Sequence, residues 1–333
     1  MGKQSNAMID YFSDNERFAS LVNGSCFGGS RIVRAEDLTE GSETYIEEVP
    51  LEGDYAGKTL KAGSNTTARY RDIKKYLRTG GAVRVLAVEA QNLTDFTMPL
   101  RHMNYDVQEY KKQLNNIKQS NKKEGNFSTA AERMCGMKKT DRLDPTYTIC
   151  LYHGEEKWEG PRSLKDMMDF GESGGIWKEL FSDYNMHLVC INEIEDFSVY
   201  GSPLKELFSL LSVRNDKEAL QKLIEENVEV YENMDEETAN VANTIVGGEV
   251  VMAKKEQKYD PEEMCTGLRG IIEDSKMVGK NEGESEERAR GLQALIESCQ
   301  AVGGTIEATI TQVIANYHLS KENARACVKS YWK

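Results

Sequence analysis

The stretch YRDIKKYLRTGGAVRVLAVEAQ, residues 70–91, decides the fold of this 333-residue chain. It contains two runs that carry apolar residues, 70–77 and 82–88, separated by the four residues RTGG. The second run is β-branched and apolar, and a glycine-containing connection between two such runs is typical of a β-hairpin. We therefore predict an antiparallel pair of strands here, although residues 70–77 also fit a turn of helix.

Three polar side chains in this stretch are candidates for chemistry. Asp72 lies at the start of the first run, and Glu89 and Gln91 lie at the end of the second. Since side chains at positions i and i+2 of a strand point to the same face, Glu89 and Gln91 project together. If the two runs pair, Asp72 falls beside Glu89, and two carboxylates so arranged can bind Mg²⁺ or Mn²⁺. The structural alternative is that both acids are solvated residues at strand ends.

Helical patterns flank this hairpin. Residues 13–27 predict a helix with Ser13 or Asp14 as its N-cap and Glu16 in its first turn, ended by two glycines. A longer helix is predicted after Gln91, followed by a polar loop at 118–125. The apolar residues of this longer helix recur at the spacing of one face, which we expect to be buried; they are Met103, Val107, Tyr110, Leu114 and Ile117.

The remaining pattern divides the chain into two parts. Strands are predicted at 146–152 and 187–191, with a capped helix from Ser163 between them, and everything legible from residue 203 onward is helical. We therefore predict an α/β domain over residues 1–200. A helical C-terminal region is predicted over residues 201–333, ending in a two-helix module at 305–332.

Charge is distributed unevenly between these parts. The whole chain carries a net charge of −13, which by itself argues against a nucleic-acid partner. Residues 69–142, however, hold 16 basic and 8 acidic side chains, whereas the second half of the chain is strongly acidic. Only the N-terminal half is therefore expected to attract a polyanion such as DNA.

Other classes of site and location are disfavoured. The seven cysteines form no C-x-x-C pair and the four histidines form no H-x-x-x-H pair, so a zinc site is not expected. No stretch approaches the roughly 20 apolar residues of a membrane helix, and no signal-peptide core opens the chain. We expect a cytoplasmic protein with no membrane partner.

Several motifs, in order, resemble one family. They are ARYRD at 68–72, LAVEAQN at 86–92 and MPLRHMNYD at 98–106, with DNERFA at 14–19, KTDR at 139–142, LYHG at 151–154 and WEGPRSL at 158–164. In this order and spacing the chain resembles the bacterial recombination-promoting nuclease (Rpn) / putative transposase family, a branch of the PD-(D/E)xK nuclease superfamily. The resemblance covers most of the chain.

This resemblance implies a restriction-endonuclease-like core, with a mixed central sheet flanked by helices, and metal-dependent cleavage of DNA. Asp72 would be the metal-binding acid of the first motif, and Glu89 the second ligand of Mg²⁺ (or Mn²⁺ or Ca²⁺). Gln91 stands where the superfamily usually has lysine, and Arg71 rather than proline precedes Asp72. The superfamily often has an acid on its first helix, for which Glu16 is the first candidate and Asp14 the second. The alternative for both is a helix cap with first-turn charge.

Two surfaces are candidates for partners. On the polar face of the helix after Gln91, DNA contacts are expected from Arg101, Tyr105, Lys111 and Lys112. On the last helix a basic stripe of Lys321, Arg325 and Lys329 fits a DNA-reading helix, a small adaptor or a dimerisation hairpin, through which the chain would form a homo-oligomer. The alternative to an enzyme is a degenerate nuclease fold that binds DNA or protein. His153 and Trp158 are expected to be structural.

Overall fold

The computed structural model describes residues 3–41, 44–49, 65–70, 72–172, 174–248 and 265–332, so that Arg71 lies outside the described residues. Its strands are β1 (Leu38–Glu40), β2 (Thr44–Val49), β3 (Asn65–Tyr70), β4 (Ile73–Thr79), β5 (Ala82–Gln91), β6 (Thr146–Tyr152) and β7 (His187–Cys190). A five-stranded sheet has the order β1-β4-β5-β6-β7, and β2 pairs with β3.

The helices account for most of the remaining described chain. They are α1 (Lys3–Ser13), α2 (Asn15–Phe27), α3 (Met98–Glu124), α4 (Ala130–Cys135), α5 (Gly174–Leu180), α6 (Leu204–Val213), α7 (Lys217–Glu226), α8 (Val228–Glu232), α9 (Glu236–Val246), α10 (Thr266–Ala301), α11 (Ile306–Tyr317) and α12 (Lys321–Tyr331). The expected α/β class, a mixed sheet accompanied by helices, is confirmed. Whether it is the nuclease core stays a prediction.

The predicted hairpin is confirmed as the centre of the sheet. β4 and β5 pair antiparallel from Ile73↔Val88 to Thr79↔Ala82, joined by a two-residue turn. Gly80 and Gly81 both have positive φ, 59° and 74°, which glycine adopts without strain and which two-residue hairpins require. β6 and β7 then add in parallel, with α3 as the crossover between β5 and β6. The sheet is therefore mixed.

One face of the sheet packs against α1 and α2. The helix predicted over residues 13–27 is confirmed as α2. Asp14 caps it by accepting from the Arg17 N–H, and Gly28 ends it in the left-handed conformation. We call this interface the apolar layer. Its buried side chains include Met8, Phe12, Phe18 and Leu21 from the helices and Ile73, Leu77, Leu86 and Val88 from the strands. Burying them stabilises the fold by removing apolar surface from water.

The opposite face packs against α3 through polar groups. The expected burial of the apolar stripe of α3 is wrong, because Val107 is exposed and Met103, Tyr110, Leu114 and Ile117 are only partly buried. The buried positions are instead His102, Tyr105, Asp106 and Glu109. The buried face is therefore rotated from the apolar stripe by one residue. We call this interface, with Lys74, Glu89 and Thr148 of the strands, the polar layer.

Two local predictions need correction. The expected loop at 118–125 is wrong, because α3 continues to Glu124 and ends at Gly125, which has φ 68° and donates its N–H to the Asn121 carbonyl. Lys122 and Lys123 in the last turn suit the negative end of the helix. The expected helix from Ser163 is a single 3-10 turn, Leu164–Met167, although Ser163 forms the capping box that the prediction requires.

The contacts divide the chain into two compact units, Met1–Leu268 and Arg269–Lys333. Helices α6 to α9 belong to the first unit: α6 supplies Leu207, Phe208 and Leu211 to its core, and Tyr11 of α1 contacts Thr238 of α9. The sequence-based boundary near residue 200 therefore differs from this division, because the apolar stripes beyond 203 are buried against the α/β part.

The second unit contains the predicted pair of C-terminal helices, α11 and α12, which is confirmed. Ser320 caps α12 as expected. Ala324 and Val328 pack with Ile310 and Val313 of α11 and with the C-terminal part of α10. In the basic stripe Arg325 is paired with Glu307 at 2.8 Å.

None of the helices in the described ranges combines the length and apolar character needed to cross a membrane.

Candidate active site

The antiparallel register brings Asp72 and Glu89 together. Ile73 pairs with Val88, so the preceding residue, Asp72, lies opposite Glu89. The Asp72 carboxylate accepts a hydrogen bond from the Ala90 N–H at 2.8 Å. Both side chains are buried, Glu89 completely. The adjacency predicted from sequence is present, while the metal-binding role of the two acids stays a prediction.

Glu89 lies between Cys150 of β6 and two polar side chains of α3. On β6 its neighbour is Cys150, which belongs to a cluster with Met98, Tyr152 and Trp158. Arg101 Nη2 lies 3.1 Å from Glu89 Oε2, and His102 Nε2 lies 3.8 Å from the same oxygen. Burial first, and Glu89 second, raise the pKa of the Cys150 thiol well above its usual value.

Arg101 connects Glu89 to the loop before α3. Its Nη1 donates to Asp95 Oδ2 at 3.1 Å and its Nε to the Tyr105 hydroxyl at 3.3 Å. Burial acts to lower the pKa of Arg101, but Glu89, Tyr105 and Asp95 outweigh it and raise the pKa. The Arg101 guanidinium is turned toward Glu89, and 22% of the side chain stays exposed. Its contact with DNA stays a prediction.

Gln91 ends β5 two residues beyond Glu89 and is half-buried. Its backbone carbonyl accepts from the His153 N–H at 2.8 Å, which is the last hydrogen bond between β5 and the chain that follows β6. By strand alternation its side chain shares the face of Glu89. An amide at this position can donate and accept hydrogen bonds but carries no charge.

The other predicted DNA contacts differ in their exposure to solvent. Tyr105 is almost completely buried against the sheet, so the expectation that it contacts DNA is wrong; position 105 belongs to the helix face that packs inward. Lys111 and Lys112 are exposed, as expected for that face. Their contact with DNA stays a prediction.

Glu16 is exposed in the first turn of α2. The cavity that it lines is bordered by Arg34 and by residues 198–204, and includes neither Asp72 nor Glu89. The hairpin carboxylates belong to the face opposite α2, because Lys75 of β4 contacts Asn15 at the start of α2 whereas Lys74 contacts α3. The structure therefore does not bring Glu16 together with the other candidates.

His153 and Trp158 have the structural character expected of them. Trp158 packs edge-on against Tyr152 and donates its indole N–H to the Gly160 carbonyl. His153 is fully buried, and Arg214 donates to its backbone carbonyl. Burial and then the Arg214 charge lower the pKa of the His153 imidazole to about 3. A ring that stays neutral at ordinary pH and has no access to solvent is a poor candidate for proton transfer.

The sequence analysis missed the charged groups that complete the polar layer. Lys74 Nζ lies 2.6 Å from Glu109 Oε2, and both side chains are buried. Asp106 accepts from the Thr148 hydroxyl at 2.7 Å and from the Tyr184 hydroxyl at 2.6 Å. The signal was present as positions 102, 106 and 109, which repeat at helical spacing beside the apolar stripe.

Two of the residues present, Asp72 and Glu89, fit a hard divalent cation. Among the described residues there is no group of three or more His, Cys, Asp or Glu side chains able to hold a metal ion. Mg²⁺ commonly binds through one or two carboxylates, several waters and a substrate phosphate. Asp72 and Glu89, two hard oxygen donors on adjacent strands, suit this kind of site.

A scan against protein-family models, a search of curated proteins and a search of solved structures each returned no match. Any assignment of function therefore depends on the residues of this chain and on the resemblance described above.

Proposed function

We propose that this protein is a metal-dependent DNA endonuclease of the recombination-promoting nuclease / putative transposase type, acting in the cytoplasm. The observation that supports it most is the pairing of Asp72 with Glu89 at the end of the hairpin, with Gln91 on the same face. This is the arrangement of acids and third polar residue that the family resemblance implies. Its core would then be of the PD-(D/E)xK type.

In this proposal Asp72 and Glu89 hold a Mg²⁺ ion, or Mn²⁺, which supplies Lewis-acid stabilisation of a scissile phosphate and a more acidic water. The Gln91 amide orients the attacking water by hydrogen bonding. Glu89 is fully buried, and burial strengthens its electrostatic interactions. The attacking water forms the new bond to phosphorus and gives up a proton to solvent. The bond between phosphorus and the leaving oxygen breaks, and the leaving oxygen takes up a proton from solvent.

DNA is the proposed partner because the chain around the site has an excess of basic residues. Lys111 and Lys112 are exposed on α3, where they can contact phosphates without reading bases. Self-association through α11 and α12 remains a further proposal; it is compatible with the basic and acidic side chains exposed on α12.

The test is plasmid nicking by the purified chain with Mg²⁺, Mn²⁺, Ca²⁺ or EDTA, using Asp72→Asn and Glu89→Gln. These isosteric changes remove the charge that holds the metal, so we expect cutting to fall by at least about 100-fold, in line with the loss of a key electrostatic group. Glu124→Gln, which changes an exposed carboxylate at the far end of α3, is the matched control. Circular dichroism in EDTA checks that each variant is folded. Undiminished cutting by Glu89→Gln would exclude this site.

The second candidate is a nuclease fold that binds DNA without cutting it. Two observations favour it: Glu89 already has a guanidinium against it, and Gln91 has no charge. A binder would retain DNA in EDTA, with an affinity that falls as salt rises. The double variant Lys111→Gln/Lys112→Gln would then weaken retention at every sequence and flatten its salt dependence.

A further inference from the structure

The proposed site needs a positive charge that its third residue does not supply. A cation beside the metal ligands can offset the charge that develops on a phosphate, whereas an amide can only hydrogen-bond. Gln91 is an amide. The question is which cation of the described chain reaches the same place.

Most of the nearby lysines are unsuitable. Lys74 is fully buried and already paired with Glu109, so it cannot meet a substrate. Lys111 and Lys112 are exposed but lie ten and eleven residues beyond Arg101 on α3, which at 1.5 Å per residue is about 15 Å along the helix. Arg101 remains, 3.1 Å from Glu89 and with 22% of its side chain exposed.

The Arg101 guanidinium is held by three neighbouring groups. Its Nη1 donates to Asp95 and its Nε to the Tyr105 hydroxyl, and its Nη2 forms an ion pair with Glu89. Asp95 is itself held, because its other oxygen accepts from the Thr97 N–H and hydroxyl at 2.8 and 2.7 Å. An arginine has five N–H groups, more than these contacts use. Because 22% of the Arg101 side chain is exposed, an anion can approach it from solvent.

We propose that Arg101 supplies the positive charge that Gln91 lacks, holding the Glu89 carboxylate and contacting the scissile phosphate from the start of α3. This inference rests on the proposed function. The guanidinium stays protonated throughout, because its pKa is far above neutrality. It lowers the energy of the additional negative charge on the phosphate oxygens and takes no part in proton transfer.

The test moves the positive charge from position 101 on α3 to position 91 on β5. Arg101→Met alone is expected to lower kcat for plasmid nicking by about 100- to 1000-fold, with KM for DNA changed by less than about threefold. Arg101→Met/Gln91→Lys, which returns a cation to the strand, is expected to recover at least about tenfold of that loss. Arg101→Lys should lie between, because lysine keeps the charge but not the forked geometry. Arg133→Met, an exposed arginine on α4, is the control.

A second readout requires no activity. Calorimetric titration with Ca²⁺ measures how well Asp72 and Glu89 bind a divalent ion in each variant. If Arg101 is a charge next to the ligands, Arg101→Met should bind Ca²⁺ at least as tightly as wild type, because a repelling charge has been removed. If Arg101→Met does not fold, Arg101→Gln, which keeps hydrogen-bond donors, takes its place in both experiments.

The outcomes separate this inference from the proposed function. Wild-type protein that cuts no DNA with any metal overturns both. A wild type that cuts, together with an Arg101→Met variant that cuts equally well, overturns the role of Arg101 alone. Weaker Ca²⁺ binding by Arg101→Met, or a double variant no better than the single one, would mean that Arg101 only supports the position of Glu89 and would overturn the inference.

Discussion

The two faces of the central sheet are packed in opposite ways. On one face the apolar layer places side chains such as Phe18 and Leu21 against the strands. On the other face the polar layer places Glu109, Asp106 and His102 of α3 against them. The adjacent residues Lys74 and Lys75 point to opposite faces of β4: Lys74 pairs with buried Glu109, whereas Lys75 reaches the Ser13 carbonyl and the largely exposed Glu40.

The apolar layer contributes mainly stability, whereas the polar layer determines how the helix is positioned on the sheet. Apolar side chains stabilise a layer by burial alone and tolerate exchange for others of similar volume. Buried charges cost free energy unless each meets its partner, so they select one arrangement of the helix on the sheet. The proposed site lies on the polar face, where the position of each group is determined by a specific partner. The predictions below test the two faces in order of expected effect.

The largest effect is expected from separating the buried pair of Lys74 and Glu109. Lys74→Met leaves a buried carboxylate without its lysine and should lower the free energy of unfolding by about 4 kcal/mol, within the range found when one partner is removed. Lys74→Met/Glu109→Met removes both charges and should recover most of that loss. Urea unfolding of the three proteins at pH 7 measures it. A double variant as unstable as the single one would show that the pair is not the cause.

A somewhat smaller effect is expected in the apolar layer. Leu21→Ala removes a fully buried side chain and should lower the free energy of unfolding by about 3 kcal/mol, from lost burial and the cavity left behind. Leu21→Met, which nearly conserves volume, should cost under about 1.5 kcal/mol. Urea unfolding again provides the measurement. A loss as large for methionine as for alanine would contradict the view that burial alone stabilises this face.

The smallest effect concerns His153, which is buried beside the positive charge of Arg214. Its folded pKa of about 3 lies below the usual 6.5, so the unfolded chain takes up the proton first as the pH falls. Stability is therefore lost below about pH 6.5, on the order of 2 kcal/mol by pH 5. His153→Gln should flatten this part of the stability–pH curve, and His187→Asn, an exposed histidine, should not. Equal slopes for wild type and His153→Gln would exclude this cause.

Local patterns were sufficient for several elements. The helix capped by Asp14, the strands 82–91 and 146–152 and the C-terminal helix pair are determined by caps, turn glycines and periodicity within a few residues. The adjacency of Asp72 and Glu89 was predicted on the condition that the two runs pair. The structure shows that they do, through a two-residue turn of Gly80 and Gly81 rather than a four-residue connection. No comparable local signal exists for the connection between Arg101 and Glu89.

What the sequence determined by itself is therefore the order of these elements, and it made Glu89 the partner of Asp72 on the condition that the two runs pair. Tertiary structure alone decided which stripe of α3 is buried, because the apolar and polar stripes have the same spacing and differ by only one residue of rotation. It also decided that Arg101 and Tyr105 point inward. Periodicity specifies that a helix has a face, but the partners that the sheet offers, here Lys74 and Thr148 for the acids of α3, determine which face is used.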